Sequence, residues 1–314
     1  CLENQIPPIP VDTDAALLQQ GDLTFATLTR QPPRSLQVLL RHAEWLAHFG
    51  RHSEICTILL PLTYALAPQP IEYLEEAFKL IDQSNGHDAS SIGERERFLR
   101  VALAVSIAEQ DSGQVPSESA TWLQTLRDLE DPTMPDTRRD SWLQKHLYPL
   151  YQGRIYFLRN EFAEAAAAYQ RSMHLSPQNL LVWTHWQKLP TPFRPAEKPD
   201  WAAAIEQGMP LNFHFSNAFA LQTVRISQPV VQGFHETADI EFFWVCSGDI
   251  LEDCRVKISF HNSAGTLFGD AFSFIELHHP MINWKVGEVF SCKRTYQPLL
   301  KTIQGGKPVN DSTL

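Results

Sequence analysis

The sequence lacks the short motifs by which common enzyme classes are recognised. It has no G-x-S-x-G elbow, no H-E-x-x-H zinc motif, no C-x-x-C pair and no phosphate-binding P-loop. A Gly-Gly-Lys run at residues 305–307 precedes a proline and lacks the upstream glycine spacing, so it indicates a turn. The sequence therefore offers no argument for an enzyme, and we expect no catalytic residue, no cofactor and no metal site.

Positive charge and long apolar runs are also scarce. The 26 lysines and arginines stand against 36 aspartates and glutamates, which gives a formal net charge of -10. Proteins that bind nucleic acid need a clustered basic face, so we exclude nucleic acid as a partner. No apolar run is long enough to cross a bilayer. These absences leave other proteins as the expected partners.

The chain starts with a cysteine and not with a methionine. One interpretation is a processed bacterial lipoprotein, in which Cys1 carries the lipid; the other is an artificially trimmed chain. Residues 2–10 are proline-rich and without helical period, as in an extended tether. Leu2 differs from the aspartate that commonly holds such lipoproteins at the inner membrane. The first interpretation predicts a periplasmic protein, lipid-anchored at the outer membrane.

Three of the five cysteines lie in the C-terminal third of the chain. Cys246 ends one strand pattern, Cys254 begins the next, and residues 247–253 between them read as a hairpin loop. Both share the apolar phase of their strands, so we consider a cross-strand disulfide, which would need an oxidising compartment. The alternative is that these two and Cys292 are reduced, buried thiols.

Hydrophobic periodicity divides the chain into a helical part and a strand part. Apolar residues recur at three- and four-residue spacing up to about residue 190, and at two-residue spacing from about Leu211. This predicts an α+β multidomain protein, with a solenoid of helical repeats followed by an antiparallel β-sandwich. The expected divisions are a tether, a helical domain, a linker with a short helix, a sandwich and a tail, at residues 1–12, 13–189, 190–210, 211–302 and 303–314.

The clearest motif lies between residues 146 and 179. Small residues stand where two helices of a pair would cross, aromatic residues surround that crossing, and a proline closes the second helix: Gly153, Tyr156, Phe162, Ala165, Tyr169, Ser172, Leu175 and Pro177. This spacing resembles a tetratricopeptide repeat. A weaker match covers residues 37–68, in which Ala43, Leu46 and Gly50 take the small, large and turn positions.

The resemblance implies stacked helix pairs with a concave groove that is lined by the first helix of each pair. The groove residues by that analogy are Leu40, Glu44, His48, Leu150, Arg154, Phe157 and Leu158. Such a groove suits an amphipathic helix or an extended segment of a partner protein. The alternative is that neighbouring helices of the same chain fill it.

The C-terminal part resembles the periplasmic β-sandwich modules of some membrane glycosyltransferases. The similarity rests on the strand Phe242-Phe243-Trp244 and on the W-x-x-G-E turn that Trp284 opens. It implies no catalytic residues. Trp284 is a candidate for stacking on a sugar ring, so a glycan is a further candidate ligand; the alternative is that Trp284 belongs to the core.

Together these features predict a non-enzymatic scaffold lipoprotein that binds protein partners within a cell-envelope assembly, anchored to the membrane by an N-terminal lipid. Two alternatives stay open at this point. One is a carbohydrate-binding accessory factor of cell-surface polysaccharide assembly, and the other is the periplasmic fragment of a membrane glycosyltransferase.

Overall fold

The protein is an α+β structure in which helices precede an antiparallel sheet, so the predicted class is confirmed at this level. A computed structural model describes most of the chain, namely residues 19–25, 36–64, 69–83, 93–111, 116–131, 144–215, 219–227, 230–232, 235–248, 256–258, 272–274 and 284–296. Cys1, Cys254 and the predicted tether and tail lie outside the described residues.

Ten helices precede the sheet in the described part of the chain. They are α1 (residues 19–25), α2 (Leu36–His48), α3 (His52–Leu59), α4 (Ile71–Gln83), α5 (Glu94–Ala108), α6 (Ser119–Glu130), α7 (Leu147–Leu158), α8 (Phe162–Leu175), α9 (Leu180–Trp186) and α10 (Asp200–Gln207). Short 3-10 turns follow α3 and α9, at Leu60–Thr63 and Thr191–Phe193. None of the helices within these ranges is long and apolar enough to span a membrane.

The pair α7 and α8 forms the tight helix hairpin that the sequence predicts between residues 146 and 179. Asn160 adopts a positive φ of 60° in the three-residue connection, which reverses the chain. A Cβ atom on Gly153 would lie 2.4 Å from Cε1 of Tyr169, so only glycine lets the helices approach this closely. Ala165 and Tyr169 are both buried at the same crossing. The small and aromatic residues of the motif thus meet where the spacing places them.

The pair α2 and α3 repeats this geometry with a different turn. Gly50 ends the first helix with a φ of +68° and Ala43 is fully buried. A glycine often ends a helix, but α1 continues through Gly21 to residue 25. Gly21 lies inside the helix and its missing side chain makes room for Trp45, whose Cζ2 would be 1.9 Å from a Cβ atom there.

Helix α7 lies at the centre of the helical part. Its first nine residues, 147–155, are all buried, so other elements surround it on every side. It packs against α5, α6 and α8. The apolar core runs from α2 to α9 without a break and includes one residue from the C-terminal part of the chain, Val286.

The strands are β1 (Met209–Phe215), β2 (Phe219–Ile226), β3 (Val230–Gln232), β4 (His235–Cys246), β5 (Val256–Ile258), β6 (Phe272–Phe274) and β7 (Val289–Tyr296). All pairings are antiparallel. The long strand β4 lies in the middle of the main sheet, with β2 and β7 on its two edges and β1 outside β2, while β3 pairs with its first residues. β5 and β6 pair with each other in a separate ladder.

The two faces of the main sheet have different roles. One face carries Phe243, Val245 and Val289, which pack on Ala204 of α10 and its neighbours. The other face carries Phe242 and Trp244, which are also buried. Helix α10, which lies in the predicted linker at residues 190–210, therefore packs against the sheet.

Candidate functional site

The turn at residues 284–288 inserts into the end of the helical part. Val286 at its tip is fully buried among helical residues. Its backbone N–H donates to Oε1 of Gln144 (2.9 Å), and its carbonyl lies 2.8 Å from Nε2 of His146 and 2.7 Å from Nδ2 of Asn179. We call the set Gln144, His146, Asn179, Val286 and Gly287 the joint. The backbone of Val286 is thus held by three side chains, two from the segment before α7 and one from the residue before α9.

Asn179 connects the joint to the helices on both sides. Its Oδ1 accepts from the backbone N–H of Val182, so it caps α9, while its Nδ2 donates to Val286. Gly287 follows with a φ of +82°, and a Cβ atom on it would lie 2.3 Å from Oδ1 of Asn179. Because Gly287 has no Cβ atom, its backbone can adopt the left-handed conformation and lie directly against the side chain of Asn179.

Short backbone hydrogen bonds extend the joint in both directions. Leu180 N–H donates to the carbonyl of Gly287 and Val289 N–H donates to the carbonyl of Gln178, both at 2.7 Å. On the sheet side, Gly287 N–H donates to the carbonyl of Cys246 at 2.7 Å. The helical part and the sheet are thus joined by a ladder of hydrogen bonds as well as by apolar packing, and their relative placement is fixed in this structure.

A second polar centre lies inside the helices. Both Nε and Nη2 of Arg154 are 2.8 Å from the two carboxylate oxygens of Glu109, and Nη2 also donates to the hydroxyl of Ser106 at 3.0 Å. The guanidinium lies over the ring of Tyr151, 4.4 Å from its centroid. Arg154 is only 5% exposed, but its charge is paired, and both Nε and Nη2 donate hydrogen bonds.

This centre perturbs the acidity of the groups around it. The adjacent guanidinium outweighs desolvation and lowers the pKa of Glu109 to about 2. Burial lowers the pKa of His185 and of Lys188 and raises the pKa of Tyr169. Perturbed groups often mark an active site. Here they surround an ion pair that is already satisfied, which is the pattern of a structural network.

The predicted groove is largely filled by the protein itself. Leu40 and Leu150 are buried, Arg154 is paired with Glu109, and Phe157 and Leu158 are half-buried against the core. Glu44 is half-buried and in contact with Arg41 at 2.6 Å, while His48 is exposed. The alternative, in which neighbouring helices of the same chain fill the groove, describes the first nine residues of α7, because all of them are buried.

Trp284 is 3% exposed and stacks on Phe290 with ring centroids 3.7 Å apart. A sugar ring cannot reach its face, so the glycan contact at this residue is wrong and the core interpretation holds. Cys246 ends β4, and β5 pairs with β6 and not with β4 in the described residues. Both edges of β4 are occupied near Cys246, by β2 and β7, so β5 is not its ladder partner. Cys254 lies outside the described residues, so the disulfide between Cys246 and Cys254 stays a prediction.

An apolar row lies at the edge of the main sheet, on the face of Phe242 and Trp244. Met209 pairs with Val224, Phe213 with Leu221 and Ile226 with Ile240, which places these three side chains on that face. They are 55%, 59% and 53% exposed. We call Met209, Phe213 and Ile226 the edge row. Sequence reasoning missed it because alternation predicts which face a residue takes and not whether that face is covered.

Comparison with known proteins gives no identification. No protein-family model matches the chain, and no curated protein matches it. The geometry of the joint, the ionic centre and the edge row is therefore what supports a function.

These three features differ in what they can do chemically. The joint and the ionic centre are buried and bonded to other parts of the same chain, so they hold the structure in one arrangement. The edge row is exposed and apolar, and removing it from water would contribute favourable free energy. It is the feature of the described surface that is best suited to binding another molecule.

Proposed function

We propose that the protein is a non-enzymatic scaffold that binds a partner protein through the edge row and presents it at a fixed orientation to the helices. The observation that carries the proposal is the exposure of three large apolar side chains on one face, in a fold that buries most others. Large apolar side chains that are exposed together on one face of a folded protein are a feature of interaction sites. The rigid joint supports the scaffold role, because it transmits the position of the partner to the helical part.

The backbone of β1 argues against simple addition of another strand. Pro210 lacks an N–H group, and the register shifts between Pro210 and Phe213, which marks a bulge. Both features limit pairing along the outer edge of β1. A partner would therefore contact the side chains of the row and not its backbone.

We infer that the partner contributes the apolar face of an amphipathic helix. Met209 and Phe213 are four residues apart, which corresponds to about 13 Å on a regular strand, and the bulge between them shortens this distance. Two turns of an α-helix span about 11 Å, so apolar residues at positions i, i+4 and i+7 would cover the row. The tetratricopeptide resemblance predicts the same type of ligand, and the edge row now replaces the filled groove as its place of binding.

Site-specific photocrosslinking in the native cells tests this proposal. A benzoylphenylalanine placed at Phe213 is expected to give one discrete adduct with another protein, whereas the same group at the exposed Thr295 on β7 gives none. Introducing Met209→Asp and Ile226→Asp together should abolish the adduct without loss of folding. Equal adducts from both positions, or an adduct with a second copy of this chain, would contradict the proposal.

A further inference from the structure

The joint contains a titratable side chain at its centre. His146 is 1% exposed, and the hydroxyl of Ser172 donates to its backbone carbonyl at 2.6 Å. Because the carbonyl of Val286 can only accept, the imidazole must donate from Nε2, and the neutral ring then carries a lone pair on Nδ1. Within the described residues, Nδ1 is buried and has no hydrogen-bond partner.

Protonation would place a hydrogen and a positive charge at that buried Nδ1. The charged groups on the elements around it do not compensate this charge. Lys285 in the same turn is a cation, and the carboxylate of Glu288 accepts from the backbone N–H of Lys285. Lys145, which precedes His146, and the exposed Arg171 and His174 on α8 are bases. Asn179, at the start of α9, presents a neutral amide.

We propose that the joint is an acid-sensitive latch, which His146 closes at neutral pH and opens when its imidazole is protonated. When the latch opens, the turn at residues 284–288 leaves the end of the helical part. The sheet with its edge row is then no longer held at a fixed orientation to the helices. This inference does not rest on the proposed partner binding, because the latch is a property of the isolated chain.

The direction of the effect follows from the folded state. Burial, aided by the charge of Lys285, lowers the pKa of His146 from 6.5 to about 4. A base whose pKa is lowered in the closed state stabilises that state fully above pH 6.5, and this stabilisation is lost as the pH falls from 6.5 towards 4. With a pKa of 6.5 in the open state, the opening equilibrium rises about 20-fold between pH 7 and pH 5.

Hydrogen exchange measured by mass spectrometry on the whole chain tests the latch. After correction for intrinsic exchange rates, peptides that cover residues 176–182 and 284–289 should open about 20-fold more at pH 5 than at pH 7. His146→Gln keeps an amide N–H for Val286 but does not titrate, and it should change less than twofold. His174→Gln removes an exposed histidine from α8 and should behave as the wild type.

Two results would overturn the latch. One is an equal acid response in His146→Gln, and the other is exchange in the wild type that does not change with pH. Should His146→Gln fail to fold, NMR titration of the wild type with labelled histidines replaces it. The imidazole of His146 is identified there by its contacts with Val286, and a pKa at or above 6.5 would refute the proposal.

Discussion

Replacing Glu109 by glutamine should destabilise the helical part strongly, although Glu109 itself lies near the surface. The substitution removes the charge that neutralises Arg154 and leaves a guanidinium buried at 5% exposure. A buried charge without its partner costs about 3–5 kcal/mol. The lost pairing, and not the lost volume, is the cause, because the glutamine side chain has nearly the same shape.

The structure gives an independent magnitude. Lowering the pKa of Glu109 from 4.5 to about 2 corresponds to about 3 kcal/mol, at ~1.4 kcal/mol for each tenfold change in affinity for a proton. The two figures agree, so we expect Glu109→Gln to lower the free energy of unfolding by about 3 kcal/mol at pH 7. Urea denaturation, followed by far-UV circular dichroism, measures this quantity.

The dependence on pH provides a sharper test. A carboxylate with a lowered pKa stabilises the folded state above pH 4.5, and this contribution is lost as the pH falls from 4.5 to 2. The difference between wild type and Glu109→Gln should therefore shrink to less than half at pH 3. Comparing the two proteins at each pH cancels the contribution of the histidines.

Two controls separate the pairing from other effects. Glu206→Gln breaks the ion pair of Glu206 with Lys198, whose side chains are 56% and 44% exposed, and should cost less than ~0.5 kcal/mol. The double variant Glu109→Leu, Arg154→Met replaces both charges by apolar groups and should regain most of the lost stability. A loss below about 1 kcal/mol in Glu109→Gln, or an equal loss at pH 3 and pH 7, would refute the reasoning.

Three further substitutions test other parts of the structure. Gly153→Ala should lower the free energy of unfolding by about 1–3 kcal/mol, because the added methyl group overlaps Tyr169. In the control Gly93→Ala, the methyl group meets no atom within 4 Å, and the free energy of unfolding should change by less than ~0.5 kcal/mol. Equal losses of the two variants in urea titrations would contradict the close crossing of α7 and α8. Asn179→Ala removes a helix cap and a bond to the joint, and should lower the melting temperature with a loss of about 2–3 kcal/mol. Phe213→Asp should leave the melting temperature within about 2 °C while abolishing the photocrosslink, and a large thermal loss would show that Phe213 is a core residue.

The helix hairpin of α7 and α8 could be predicted because its determinants are local. Gly153, Ala165 and Tyr169 lie within one stretch of the chain, and their sizes report a crossing that neighbouring residues create. The boundaries of α2, α4 and α6 follow from similar local signals, such as Gly50 after α2. By contrast, the role of Gly21 could not be predicted, since a glycine that makes room for a distant tryptophan looks the same in the sequence as a glycine that ends a helix.

The joint could not be predicted, because its partners are far apart along the chain. His146 and Val286 are separated by 140 residues, and nothing in either segment alone indicates the other. The signals that were present, an asparagine before an apolar run and a glycine after a valine, are common at helix starts and in turns. Asn179 before Leu180 is a usable cap signal for the start of α9.

Arg154 illustrates a different limit. On a helical wheel, an arginine among apolar residues reads as the polar contact of an open groove, and only the position of Glu109 on another helix shows that it is paired inside. The same uncertainty affects Trp284, where a turn position suggests exposure although the ring is covered. In both cases the surroundings of the side chain are formed by helices or strands whose position cannot be derived from the spacing of residues in the sequence.

The position of Val286 also has a consequence for the order in which the chain matures. A ribosome adds about 5–20 residues per second, so the turn that enters the helices emerges about 7 seconds or more after His146. Through that interval the nascent helices present an unfilled apolar socket beside α9. Contacts of such long sequence separation form late and slow the final folding step. The helical half can therefore complete its core only after the turn at residues 284–288 has been synthesised.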